Sequence, residues 1–293
     1  MTTAPDHLDH LDLSAPVDRD RRPPLWAPFA RHTELDLKDF WRSPIQLAFI
    51  VAMPVMFYVI FGFAFREAAG AQVVAGEHTL TQGNRSFAGV LAFGLLSVVF
   101  ANVAISLAVK RHHGLFKRFR TTPVSPLSVM GGYLANIFVS LMLVVGVLTL
   151  IGVTFLGVSL PAERIPALLL IVVLGFLCIA PLGVAFSLVP PNADSAVPLV
   201  NAVFFPVAFL SGAFMAMPFP GAIQAVVDLL PGTPLVQLLT GSVASTGPVW
   251  DVPALLLLAA WGVVGVIASV LWFSWASESE PRGFSRGRGS EDA

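Results

Sequence analysis

Six stretches of this chain, at about residues 45–65, 87–109, 131–156, 166–189, 196–217 and 254–275, contain no Asp, Glu, Lys, Arg or His. Each is long enough to cross a bilayer as a helix, which takes roughly 20 residues. The runs are continuously apolar rather than alternating, which excludes a membrane β-barrel. Only 12% of the residues are charged and mean hydropathy is +0.79, whereas a soluble domain carries about a quarter charged residues. Lipid is therefore the solvent for most of the chain. The expected architecture is an all-α integral membrane protein with six transmembrane helices over residues 45–275, flanked by disordered tails at 1–24 and 276–293. Pro54, Pro181 and Pro206 fall inside spans, where membrane helices tolerate proline and kink.

Sidedness follows from Lys and Arg outside the spans. The N-terminal segment holds six, the loop after span two five (Lys110, Arg111, Lys117, Arg118, Arg120) and the C-terminal tail three, fourteen on one side. The other side has Arg66, Arg85 and Arg164. Both termini are thus expected in the cytoplasm of a multi-pass cell-membrane protein, with the basic loop beside them. The polar N-terminus has no apolar h-region, so no cleaved signal peptide is expected. Asn84-Arg85-Ser86 matches a glycosylation sequon, a triplet too common to carry weight.

Two further segments are apolar without being long enough to span. In residues 25–44, Trp26, Phe29, Leu37, Phe40 and Trp41 belong to an aromatic and aliphatic stripe at spacings of three and four. That pattern predicts an amphipathic helix lying in the membrane interface, with a solvated linker as the alternative. In residues 217–241, Pro218, Pro220, Pro231 and Pro234 cut the chain into pieces of about ten residues. Gln224 and Asp228, four apart, share a face of the first piece. A re-entrant hairpin from the outer side fits this pattern, and an interfacial loop is the alternative.

The chain contains no G-x-x-x-x-G-K-[ST] loop, no Cys/His metal spacing and no H-E-x-x-H, so it does not bind ATP by the phosphate-loop route and offers no metal site. Cofactors in this chain and nucleic-acid partners are not expected. The spans also lack the ionisable group that an ion-coupled carrier uses. Asn102, Asn136 and Asn201 read as interhelical hydrogen-bonding groups. Cys178 reads as a small hydrophobe, and His112 and His113, adjacent and so about 100° apart on a helix, chelate poorly. A membrane protein without its own engine conducts passively, scaffolds or borrows energy.

The basic loop reads as a handle for a partner. Gly114 ends the helix before it, Leu115 to Arg120 make a short amphipathic turn, Thr122-Pro123 stops it, and Ser125-Pro126 restarts a helix with Ser125 as N-cap. The alternative is that these cations only set topology or touch anionic lipid.

Three segments resemble the ABC-2 type transporter permeases, particularly the antibiotic-export kind typified by daunorubicin permeases. They are the helix at 26–43, the stretch GLFKRFRTTPVSPLSVMGGYL (114–134) and the stretch FLSGAFMAMPFPGAIQAVVDLLPGTPLVQLLTG (209–241). The second is similar to a G-T-L-x-R-L-x-x-T-P-[LV]-S signature. The resemblance implies a membrane subunit paired with a second permease subunit, a copy or a paralogue, and with a separate ATPase that binds ATP and Mg. It implies that Gly114, Lys117, Arg118, Arg120, Thr122, Pro123 and Ser125 form the loop that docks on that ATPase. The helix bearing Trp26, Phe29, Leu37, Phe40 and Trp41 would be a connecting helix, and Pro218, Pro220, Gln224, Asp228 and Pro231 would belong to an outward re-entrant gate. A substrate path between subunits would then pass Phe57, Phe61, Phe205, Phe209 and Met215, and a hydrophobic or amphiphilic cargo suits such a wall. Arg111-His112-His113 is a departure, standing where such permeases commonly carry Glu before the glycine. Export of a lipid-linked polysaccharide and a non-transporting membrane scaffold are the alternatives.

Overall fold

A computed structural model describes residues 44–64, 66–114, 126–214 and 219–272 of the chain. Helix α1 covers Pro44–Ala64. A short hairpin follows, β1 Gln72–Ala75 against β2 His78–Thr81. Then comes one 31-residue rod, Gln82–His112, made of α2 Gln82–Leu95, a π-helical stretch Leu96–Ala101, and α3 Asn102–His112. Helix α4 covers Pro126–Phe155, α5 Ile165–Phe186, α6 Ala193–Leu210, α7 Gly221–Asp228, α8 Gly232–Val243 and α9 Val252–Trp272. Among the described residues, five helices are long and apolar enough to cross a membrane, or six if the bent pair α7–α8 counts as one; α1 is apolar over Ile50–Ala64.

Helix ends follow local capping more than hydropathy. The second apolar run begins near residue 87, yet its helix starts at Gln82, because Thr81 Oγ1 accepts from the Asn84 backbone N–H at 3.2 Å. Such a cap satisfies one of the donors a helix leaves unpaired. Helix α6 begins at Ala193, ahead of the apolar run that starts at 196, with Asn192 and Ser195 forming a reciprocal capping box. It stops at Leu210 rather than 217, where Gly212 takes φ +79°. Gly114, at φ +67°, ends α3 as its position required. Pro234 does not cut the chain as expected: it lies in the first turn of α8, where the missing N–H costs little. The β-hairpin adds strand to the expected all-α fold. Gly76, φ +59°, occupies the first of its two turn residues, a position that favours glycine.

The helices define two ends. At one, α3 finishes in Lys110 and Arg111, and Arg111 Nη2 donates to the Pro190 carbonyl at 2.7 Å, tying α3 to the α5–α6 turn. At the other, three loops knit together. Asn84, 1% exposed, donates from Nδ2 to the carbonyls of Ser159 (2.8 Å) and Val243 (2.7 Å) and accepts from Ser159 N. Arg164 donates to the carbonyls of Gly241 and Gly247, and Thr79 bridges Thr246. Arg85 and Arg164 therefore sit opposite Lys110 and Arg111, as the loop charges required.

Small residues set the closest approaches. A Cβ on Gly89 would collide with the Ala213 backbone, and one on Gly183 would come within 3.0 Å of the Val99 and Phe100 carbonyls. Helix α9 runs parallel to α5 with Gly262 on Cys178 and Gly265 on Leu182. Ser269 Oγ donates to the Pro181 carbonyl.

Asn84 carries a prediction. Asn84→Ala removes three bonds and orphans buried backbone groups, so it should destabilise the fold by about 3 kcal/mol. Thermal unfolding in detergent should show a midpoint lower by on the order of 10 °C. An unchanged midpoint would mean that the loops hold without it.

Candidate functional site

The pair α7–α8 is bent by 77°, and its turn stands level with the middle of the neighbouring helices. Leu229 O accepts from Trp261 Nε1 at 2.8 Å, and Trp261 stands midway along α9. Gly232 abuts Ser211 and Leu96, and Leu235 reaches Gly175 near the middle of α5. From there α8 climbs to Val243, at the Asn84 cluster. Helix α7 ends with carbonyls that no helical N–H can meet. Trp261 meets Leu229 O, and Val227 O accepts both from the Leu230 backbone N–H at 3.1 Å and from Thr233 Oγ1 at 2.6 Å.

On the hairpin's open side lies a cavity of about 810 Å³, lined among others by Glu77, His78, Arg85, Gln224, Asp228 and Asp251. Gln224 Nε2 donates to Asp228 Oδ1 at 2.7 Å, as their spacing of four required, and Gln224 Oε1 accepts from Phe219 N. Arg85 is half-buried and has no hydrogen-bond or ion-pair partner among the described residues. His78 is buried, and its Nδ1, packed against Gly247, has no partner among them either. This wall mixes both signs of charge, so it can accept a polar group of either kind.

Beside the turn, aromatic rings join α1, α2 and α6. Phe57 and Phe61 of α1 lie 5.1 and 4.8 Å from Phe214 between ring centroids. Phe93 stands at the centre, 4.9 Å from both Phe57 and Phe214 and 5.2 Å from Phe204. Phe205 joins through Phe204, and Phe209 through Phe214. The structure thus brings together Phe57, Phe61, Phe205 and Phe209, which the sequence singled out, and adds Phe93 and Phe214, which it did not.

Pro220 and Pro231 stand at the N-termini of α7 and α8. Met215, Pro218, the loop residues Lys117, Arg118, Arg120, Thr122, Pro123 and Ser125, and the N-terminal helix with Trp26, Phe29, Leu37, Phe40 and Trp41 lie outside the described residues. Two of the three asparagines, Asn102 and Asn136, depart from expectation. Asn102 accepts from Ser106 within its own helix, and Asn136 Oδ1 is buried with no partner among the described residues. Trp261, Thr233 and Phe93 went unread in the sequence. A Trp in mid-span is a usable signal, because indoles favour interfaces and a buried N–H needs an acceptor.

Residues 33–243 match the family model described as ABC-2 type transporter. The chain belongs to that family. The match ends on the last residue of α8, so the ABC-2 region takes in the whole hairpin. The chain is also 31% identical over 291 residues to the daunorubicin resistance ABC transporter permease protein DrrB1 of Streptomyces coeruleorubidus, across 92% of this chain and 95% of that protein.

The Trp261–Leu229 bond is testable. Trp261→Phe keeps most of the ring but orphans a carbonyl in apolar surroundings, at about 1–3 kcal/mol. In a Cys178→Ala background carrying Leu230→Cys, this change should raise maleimide labelling of the introduced thiol about tenfold, the equivalent of ~1.4 kcal/mol. Unchanged labelling would show that the indole does not hold the turn.

Proposed function

We propose that this chain is the permease subunit of an ATP-driven exporter that moves a hydrophobic or amphiphilic compound, such as a drug or lipid-like antibiotic, out of the cell. The observation that carries the reading is the ABC-2 match over residues 33–243, joined by near full-length similarity to a permease named for daunorubicin resistance. In this reading α1, the α2–α3 rod, α4, α5, α6 and α9 are six spans. The fourteen Lys and Arg of the tails and basic loop keep both termini cytoplasmic. The α7–α8 pair is a re-entrant gate entered from outside.

The work comes from a separate ATPase subunit, which binds ATP and Mg and grips the loop Gly114–Ser125. The helix at 25–44 is a second contact to it, and a second permease subunit, a copy or a paralogue, completes the path. Arg111 supports this assignment of roles. Its bond to Pro190 carries a push on the basic loop directly to the start of α6, the helix that bears Phe204, Phe205 and Phe209. Those rings give a soft apolar wall to a passing amphiphile, and the cavity above the hairpin receives its polar part.

The test is export with the cognate ATPase co-expressed. Arg118→Ala and Pro123→Ala should each lower export of daunorubicin about tenfold, ~1.4 kcal/mol of lost coupling, with membrane levels of the chain unchanged. Normal export in both variants would sink the coupling-loop assignment. A deletion strain with unaltered sensitivity to every amphiphile tried, and no ATPase stimulated by them, would favour a scaffold.

A further inference from the structure

A second cavity, of about 500 Å³, lies on the other side of the hairpin turn from the polar one. Leu230 and Pro231 form its roof, Trp261 stands beside them, and Phe100, Phe186 and Phe204 wall it below. Among the described side chains that line it, Trp261 alone has a nitrogen or oxygen, and that N–H is already given to Leu229 O. The described side chains offer no free donor or acceptor, so the group this wall suits is hydrocarbon. An apolar cavity of this kind does not hold water. A polycyclic compound edged with hydroxyls and carbonyls would lose its hydrogen bonds on entering.

The shape is that of one leaflet. The pocket follows α5 from Ile179 to Phe186 and continues through Leu188 to Val189, which is 55% exposed at the turn. At 1.5 Å per residue this is about 10–15 Å, close to half of a ~30 Å hydrocarbon core. The roof stands at mid-depth and the mouth at the Lys110–Arg111 end. One residue past Val189, the Pro190 carbonyl takes one N–H of the half-buried Arg111, and a guanidinium has five N–H donors in all. Asp194, on the first turn of α6, is the acid nearest in sequence to the turn. The helix-ending His112 and His113 are exposed on the same side.

We propose that this pocket is a phospholipid site. An acyl chain from the leaflet on the Lys110–Arg111 side fills it up to the hairpin turn, and the anionic headgroup is held at Arg111. The occupant supports from below a turn whose other side faces the polar cavity. The inference does not rest on the transport reading, because it needs only that the chain sits in a bilayer.

The test uses the full chain in nanodiscs, with phosphatidylglycerol carrying a diazirine in its acyl tail as probe and the matching phosphatidylcholine as control. Illumination should label peptides 182–189 and 203–207. Ala185→Phe and, independently, Ala268→Leu, both filling the pocket, should lower that labelling about tenfold at an unaltered unfolding midpoint. The lipid-facing stretch 263–267, with Val263, Val264 and Ile267 all more than half exposed, supplies the reference and should be labelled as before. Arg111→Gln should reduce phosphatidylglycerol labelling to the phosphatidylcholine level, while Arg111→Lys keeps part of the preference. Equal labelling by both lipids in the wild type, or labelling that neither filling variant lowers, would overturn the proposal. Displacement of the probe by daunorubicin would overturn it too, by giving the pocket to the exported compound.

Discussion

The fold turns on how a chain reversal level with the middle of the neighbouring helices is held in place. A helix that ends in hydrocarbon leaves carbonyls with no solvent to meet them, at several kcal/mol each. At the α7–α8 turn Trp261 supplies the donor that Leu229 O lacks, and Thr233 adds a second donor to Val227 O beside the Leu230 N–H. Once the turn is held there, α8 can run back to the Asn84 cluster. The space around the turn then divides into a charged chamber and a dry one. The two differ because the lining of one includes Arg85, His78 and three acids, while the other has a single indole N–H already in use.

The two ends of the molecule are built on different plans. At the Asn84 end, side chains bind the backbone of distant loops, so residues 84, 159, 164, 243 and 247 move as one body. At the Arg111 end, the contacts among the described residues include a guanidinium bond to the α5–α6 turn and Lys110 Nζ lying 4.1 Å from the Tyr133 ring centroid.

Much of the helical framework was legible in the sequence, because an uncharged run of twenty or more residues leaves a chain few alternatives. Gly114, Pro231 and the Gln224–Asp228 pair were legible for the same kind of reason: each is a local rule of backbone or spacing. What stayed hidden depends on contact at long range. Nothing in the letters around Phe93 marks it as the ring on which α1 and α6 converge, since every neighbour is equally apolar. Asn84 looked like part of a chance sequon, whereas its amide is the knot between loops 75 and 159 residues away. The early end of α6 was missed because hydropathy continues past Gly212 while the backbone does not.

The π-helical stretch Leu96–Ala101 has a geometric effect on everything below it. Asn102 N–H reaches back five residues to Ser97 O rather than four, so one residue more than an α-helix needs is accommodated in the rod. An α-helix advances about 100° per residue, and the lower half of the rod is therefore turned by that angle relative to an uninterrupted helix. This phase brings Arg111 round to Pro190, and it bares the Val99 and Phe100 carbonyls where only a residue as small as Gly183 can lie against them. The stretch acts as a vernier: with one residue fewer, the hydrophobic face would still pass for a span, but the basic end would point to another quarter of the bundle.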